Sequence, residues 1–393
     1  MAYTGVVSGE ITSVNALAAN QMPDVDRVLY LLKPYQTPIF NWLYFSQGAN
    51  KSEKIINSSA KFSWFEDEFY PHQTSLTTLG GGASSTTTIT VGDSSIFNDG
   101  DILFVEATDQ LLYVSSTSTL TFATLDGSNI TAVSSGTDNI KIIGSRNHEY
   151  ATARTAVSTK EVEKYNYAQI FSETVATSGR YQAGDKYTNG KSHKDQVKKK
   201  IEEMKFQVER NLIMSTERGS VTDSSKYRFT YGYGLLGFIS TNVSTYTAGS
   251  LTETSVDNHF KAVFAKGSKF KKHFAGADQI QELNNIVKAK YQVIETANTK
   301  EYGASLGKYI TPFGVVELLW DPVLDGKFAD YGFTLDSDNV KLRYMANDEK
   351  GSRKFRVEPN VQTPGTDGKE SKILMDLGLQ VTNEETCGIL KAA

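Results

Sequence analysis

The stretch SHKDQVKKKIEEMKFQVERNLIMST, Ser192 to Thr216, is the longest helical pattern in the chain, and the other elements can be ordered around it. Val197, Ile201, Met204, Val208 and Leu212 recur at intervals of four, three, four and four, which lays one apolar stripe along a helix. Ser192 with Asp195 predicts a capping box, with Asp in place of the commoner Glu or Gln. Gly219 follows as a stop. At ~1.5 Å per residue such a helix runs on the order of 37 Å. Its opposite face carries Lys198, Lys199, Lys200, Glu202, Glu203, Lys205, Glu209 and Arg210. That mixed-sign face is expected to meet solvent or a neighbouring subunit.

Downstream, the pattern predicts two shorter helices, around Val256–Ala265 and Ala277–Ala289, with a strand between them. Strands then follow at Val315–Trp320, Val340–Met345 and Lys372–Thr382. In the last, Ile373, Met375, Leu377, Leu379 and Val381 alternate with mostly polar neighbours, the pattern of a strand with one face on a core. Upstream, residues 1 to 22 read as an arm without its own core. Pro23 opens a short amphipathic turn through Val25, Val28, Leu29 and Leu32, which Pro34 and Pro38 end. Residues 89 to 143 form a β module of short runs, among them Ile102–Glu106, Leu111–Val114, Leu120–Thr124 and Ile140–Ile143. Asp99-Gly100 and Asp126-Gly127 supply the positive φ of its tight turns. The preceding GGGASSTTT, Gly80 to Thr88, has the composition of a flexible linker. Together these elements make an α+β protein with a small inserted all-β module.

Composition narrows the function. A net charge of -4 argues against an electrostatic nucleic-acid binder. The single cysteine, Cys387, can build neither an internal disulfide nor a thiolate metal site. The N-terminal MAYTGVVSGEITSV lacks a basic segment leading into an apolar run, so no signal peptide is expected. No apolar run approaches the length of a membrane span, so no membrane partner is expected. The sequons at Asn50, Asn57, Asn129 and Asn242 are then chance matches.

One other stretch stands out. KFSWFEDEFYPHQT, Lys61 to Thr74, sets five aromatic rings around Glu66, Asp67 and Glu68, with His72 close behind. In an extended chain Phe62, Trp64, Glu66 and Glu68 share one face, and Phe65, Asp67 and Phe69 the other. Glu66 and Glu68 would lie ~7 Å apart, a spacing a two-carboxylate hydrolase could use. Nothing in the sequence tunes the two apart, and a catalytic role is not expected. Rigid rings beside carboxylates on two mixed faces instead predict a subunit interface formed by Phe62, Trp64, Glu66, Asp67, Glu68 and Phe69.

Other motifs lack their context. GYGLLG, Gly232 to Gly237, matches the dinucleotide-binding expression, but FISTNVSTYTAGS follows it where a helix is needed. GASLG, Gly303 to Gly307, matches a serine-nucleophile elbow, yet no histidine lies beyond His273. His72, His148, His193, His259 and His273 show no metal-ligand spacing and read as surface or packing residues. KFKKH, Lys269 to His273, reads as a solvated basic edge. No catalytic residue, cofactor or metal site is expected.

The order of these parts resembles the major capsid proteins of tailed bacteriophages, the Hong Kong 97-like fold, and within it the SU10-type branch. The resemblance rests on YQTPIFNWL (Tyr35–Leu43), FSWFEDE (Phe62–Glu68), NYAQIFSETVATSG (Asn166–Gly179), IEEMKFQVERNLI (Ile201–Ile213), TPFGVVELLWDPVL (Thr311–Leu324) and LMDLGLQVTNEETCGIL (Leu374–Leu390). It implies an N-terminal arm at 1–45 and an extension loop with limbs at 46–82 and 144–180. The inserted module then occupies 83–143, and the long helix lies in a peripheral domain at 181–232. An axial domain at 233–304 and returning peripheral strands at 305–393 complete the chain. The implied function is a major capsid protein that self-assembles, as pentamers and hexamers, into the icosahedral head shell around double-stranded DNA. The implied locations are the virion and, during assembly, the host cytoplasm. Portal, scaffolding and decoration proteins are the implied partners besides the chain itself, with non-specific proximity to packaged DNA. A tail or fibre component, or a carbohydrate-binding β-rich assembly protein, is the alternative reading.

Overall fold

The computed structural model describes residues 37–45, 52–55, 59–134, 136, 138–147, 149, 153–184, 192–288, 307–349 and 351–393. The expected turn from Pro23, the sequons at Asn50 and Asn57, His148 and most of GASLG lie outside them. The chain divides into two compact units, residues 64–164 and the remainder, 1–63 with 165–393.

In the larger unit the long helix runs His193–Met214. Ser192 Oγ accepts from the Asp195 N–H at 3.3 Å and donates to Asp195 Oδ2, so the predicted box forms. Met204, Val208, Leu212 and Ile213 are buried in one core with Phe171, Val175, Ile373, Met375 and Leu377. Those partners come from the antiparallel pair of strands Gln169–Ser178 and Gly368–Val381, in register from Gln169↔Leu377 to Ser178↔Gly368. Arg356–Pro359 and Val340–Met345 also pair with Gly368–Val381, and Ser52–Ile55 adds to Val340–Met345 in parallel. An eight-residue helix, Pro38–Phe45, buries Ile39, Phe40 and Leu43 in the same core. Its Pro38 needs no N–H partner at a helix start.

A second, six-stranded sheet runs in the order Val243–Tyr246, Gly388–Ala392, Tyr331–Asp336, Phe270–Ala275, Gly314–Trp320, Lys308–Thr311. The helices Glu253–Phe264 and Ala277–Lys288 flank the Phe270–Ala275 strand in the chain, in the order the pattern predicts. The late strands are thus shared between two sheets. Gly368–Val381 joins the long-helix sheet, and Gly314–Trp320, Tyr331–Asp336 and Gly388–Ala392 join this one. The resemblance implied that the strands of 305–393 all return to the peripheral domain of the long helix. Strand pairing at this separation is decided by which hydrogen-bonding edge the core leaves open, and local pattern does not carry that.

KFKKH is not a solvated edge. It begins a central strand whose alternate side chains, Lys271 and His273, point into the core. Lys271 Nζ lies 3.1 Å from Asp336 Oδ2, both fully buried, and donates to the Thr386 carbonyl at 2.6 Å.

The smaller unit holds a seven-stranded sheet, in the order Ser85–Thr86, Thr121–Thr124, Gln110–Ser116, Asp101–Val105, Asp138–Ser145, Gln73–Leu79, Ile89–Val91. Its core comprises Leu76, Leu79, Leu103, Val105, Leu112, Val114, Phe122 and Ile140 with their neighbours. The turns at Gly100 and Gly127 take the expected positive φ, 81° and 75°. Two expectations are corrected. Gln73–Leu79, assigned to an extended limb, is an interior strand of this sheet. The Gly80-Gly81-Gly82 run is built in rather than flexible: the Gly82 N–H donates to Ile130 O at 2.9 Å. A Cβ on Gly81 would lie 2.6 Å from the Ala132 nitrogen, so glycine is required there by close approach.

Candidate functional site

The KFSWFEDEF stretch forms a strand only over Lys61–Glu66, paired with Val162–Tyr167 as a two-stranded ribbon. Asp67 to Tyr70 continue without regular structure. The strand's faces are not both mixed, as the sequence suggested. Phe62 and Trp64 are buried, while Ser63 and Phe65 on the other face are exposed. The Phe62 ring lies against Gly378, with the Arg343 guanidinium 5.9 Å from its centroid. Trp64 Nε1 donates to Glu66 Oε1 at 2.7 Å, which holds that carboxylate beside its own strand. The Glu68 N–H donates to Asp67 Oδ1 at 2.9 Å, a local turn contact. Phe65 is 67% exposed and Phe69 is 99% exposed. An aromatic ring in water on that scale has a burial energy of ~1.5–3 kcal/mol still to gain.

The six expected interface residues therefore separate. Phe62 and Trp64 are covered by their own chain, and Glu66 is tied to Trp64. Asp67, Glu68 and Phe69 face outward, joined by Phe65, which the expected set omitted. Phe65 alternates with the buried Trp64, and that period was legible in the sequence. Which face would be covered was not, because Gly378 is 316 residues from Phe62 along the chain.

The strand Val162–Tyr167 is anchored by a polar residue without a motif of its own. Asn166 is fully buried; it donates to Leu379 O at 2.7 Å and Tyr233 O at 3.1 Å, and accepts from the Tyr233 N–H. GYGLLG thus includes the partner of a structural asparagine. A four-residue helix, Leu235–Phe238, begins inside the motif and is too short to present a phosphate site.

Among the described residues no group of three His, Cys, Asp or Glu could hold a metal ion. Cys387 is buried, and burial pushes its thiol up to about 11. His193 bridges Thr177 and Ser371, a packing role as expected. His259 and His273 lie deep in the six-stranded-sheet region, and burial lowers them to about 3 and about 4. The side chain most misplaced by sequence pattern is Glu209. It was assigned to the polar face of the long helix, yet it is fully buried under the Pro38–Phe45 helix. Ile213, four residues on and also buried, was the available sign that a second stripe of this helix is covered.

A long helix on a five-stranded sheet, a second sheet with two helices, and a separate seven-stranded β unit make a mixed fold that matches Hong Kong 97-like capsid structures. The capsid subunit of an empty GTA particle aligns over 98% of this chain and 100% of its own, with a TM-score of 0.52 at 9% identity. The cyanophage A-1(L) capsid aligns over 93% and 96%, with a TM-score of 0.52 at 10% identity. The Mycobacterium phage Cain structure aligns over 98% and 99%, with a TM-score of 0.50 at 9% identity. At such identities these likenesses concern the fold. The family model for the SU10 major capsid protein matches residues 6–393, and the chain belongs to that family. It is a phage major capsid protein, a subunit of the head shell. No curated protein matches the chain.

Proposed function

We propose that the outward face of the KFSWFEDEF segment, Phe65, Asp67, Glu68 and Phe69, docks on neighbouring copies as pentamers and hexamers close into the shell. The single observation behind this reading is Phe69, 99% exposed beside two carboxylates in a protein whose family builds shells. Phe62, Trp64 and Glu66 then act from within, setting the strand that presents those side chains. Phe65 and Phe69 supply apolar area, and Asp67 and Glu68 choose a basic counterpart and limit wrong pairings. Weak contacts repeated by symmetry make a stable closed shell. The role is structural, with no substrate turned over. Assembly takes place in the host cytoplasm, with a portal and, where used, scaffolding or decoration proteins as partners, and the shell touches packaged DNA only non-specifically.

The test is Phe65→Ser/Phe69→Ser, followed by light scattering and negative-stain imaging. The variant should stay folded by circular dichroism while the concentration for shell formation rises at least about tenfold, the ratio for ~1.4 kcal/mol per contact. Wild-type assembly by this variant would remove the segment from the interface. Trp64→Ala should instead destabilise the unassembled subunit itself.

A further inference from the structure

The Pro38–Phe45 helix is held at both ends by side chains distant in sequence. At its start, the Ile39 N–H donates to Glu209 Oε1 at 2.9 Å and the Phe40 N–H to Glu209 Oε2 at 2.7 Å. These are the first two N–H groups after Pro38, which have no partner inside the helix. At its end, Lys354 Nζ donates to the Tyr44 carbonyl at 3.3 Å and sits over the Tyr44 ring. An acceptor at the N-terminus and a cation at the C-terminus both suit the helix dipole.

Glu209 has a second partner. The carboxyl group of Asp321 lies beside it, where Arg210 and Asp325 bring the long helix against the 321–325 turn, and both Glu209 and Asp321 have no exposure. Asp321 Oδ1 accepts from the Val323 N–H at 2.9 Å, while Oδ2 is buried with no hydrogen-bond partner among the described residues. Two carboxylates in contact out of water, without a cation, cannot both stay ionised. Among the described residues, the charged groups on the surrounding elements do not supply one. Arg210 and Asp325, next to the pair on the long helix and the 321–325 turn, are 4.0 Å apart and solvent-exposed. Lys205 pairs with Glu202, and Lys272 with Glu317. Lys354 lies at the other end of the short helix, and His273 is committed to Thr334 and Gln279. A proton is the donor left for the unpaired Asp321 oxygen.

We propose that Glu209 and Asp321 form a proton-dependent latch that docks the Pro38–Phe45 helix on the long helix, so that loss of the shared proton releases that helix while the sheets stay folded. With the proton in place, the pair carries one negative charge, which the two N–H groups of the short helix balance. Without it, two buried charges repel beneath that helix, and moving the helix away admits water. Burial raises both carboxyl groups above the ordinary range, so the folded protein binds the proton more tightly than the unfolded chain. The linkage sign follows: the latch is strongest below the usual carboxylate range and weakens as pH rises through the folded values.

The experiment is hydrogen exchange on the full chain at about pH 6 and about pH 10, corrected for intrinsic rates, in wild type, Asp321→Asn and Glu209→Ala. In Asp321→Asn the amide N–H replaces the shared proton permanently and leaves both Glu209 acceptors in place. Wild type should lose at least about tenfold protection over residues 37–45 between the two pH values, because Glu209, raised to about 9, gives up its proton inside that window. The strand Gly368–Val381 should keep its protection. Asp321→Asn should hold 37–45 protected at both pH values, and Glu209→Ala should lose protection at both. The latch is overturned by unchanged wild-type protection, by loss that extends equally to Gly368–Val381, by a wild-type pH response in Asp321→Asn, or by full protection in Glu209→Ala. Should Asp321→Asn fail to fold, the wild-type comparison and Glu209→Ala decide.

Discussion

Lys271 has no exposure, and its ammonium is matched to Asp336, the Lys266 carbonyl and the Thr386 carbonyl. Asp336 in turn accepts from the Ser268 and Asp338 N–H groups. Lys271→Met keeps the volume and strands the carboxylate, so subunit stability should drop by about 3–5 kcal/mol, read as a lower denaturant midpoint. Lys271→Met/Asp336→Leu should recover much of that loss. Nearby, Thr334 Oγ1 links His259 Nε2 at 2.9 Å to His273 Nδ1 at 2.8 Å. Gln279 donates to Leu390 O, so its oxygen accepts from His273 Nε2–H. His273 Nδ1 therefore accepts from the Thr334 hydroxyl, whose oxygen accepts from His259 Nε2–H. Each ring is neutral; protonating His273 would aim a second donor at the Thr334 hydroxyl, whereas His259 Nδ1 faces the Ser244 hydroxyl, which can turn to accept. Burial lowers both, so the unfolded chain binds more protons than the folded one below about pH 6.5. Stability should fall on acidification from there towards the folded values, with the Glu209–Asp321 pair opposing part of the slope. His273→Asn should flatten the pH dependence by up to ~1.4 kcal/mol per pH unit, measured by denaturation across that range.

The inserted sheet is the element with the clearest boundary. Leu76 and Leu79 belong to its core, and Gln73–Leu79 lies between Asp138–Ser145 and Ile89–Val91. Arg154 pairs with Asp101, and Asn98 donates to the Thr155 carbonyl, tying the chain after the last strand back to the Asp99–Asp101 turn. Residues 64–164 expressed alone should give a cooperative thermal transition. Residues 83–143 alone should not, because they lack an interior strand and two buried leucines, each worth ~2–5 kcal/mol. A cooperative melt of 83–143 would restore the shorter boundary.

At the scale of the whole molecule, the net charge of -4 and the family's shell-building role bear on the genome. Any contact with packaged DNA should be weak, indifferent to sequence and lost steeply as salt rises, as a fluorescence-anisotropy titration would show. Tight binding of one DNA sequence that survives high salt would contradict this.

Periodicity and caps were enough to locate the long helix, its Ser192 start, the two later helices and the strands Val340–Met345 and Gly368–Val381, because those features act within a few residues. The order of these parts was also enough to show a resemblance to phage capsid proteins. Tertiary structure alone decided that Gly314–Trp320 and Gly368–Val381 belong to different sheets, that Phe62 is covered by Gly378, and that Lys271 and Glu209 are buried. A charged residue reads as solvated unless its partner is known. Asp336 is 65 residues from Lys271, and the Ile39 amide is 170 residues from Glu209. Local sequence cannot encode such partners, because burying a charge is feasible only where the folded chain brings the balancing group to it.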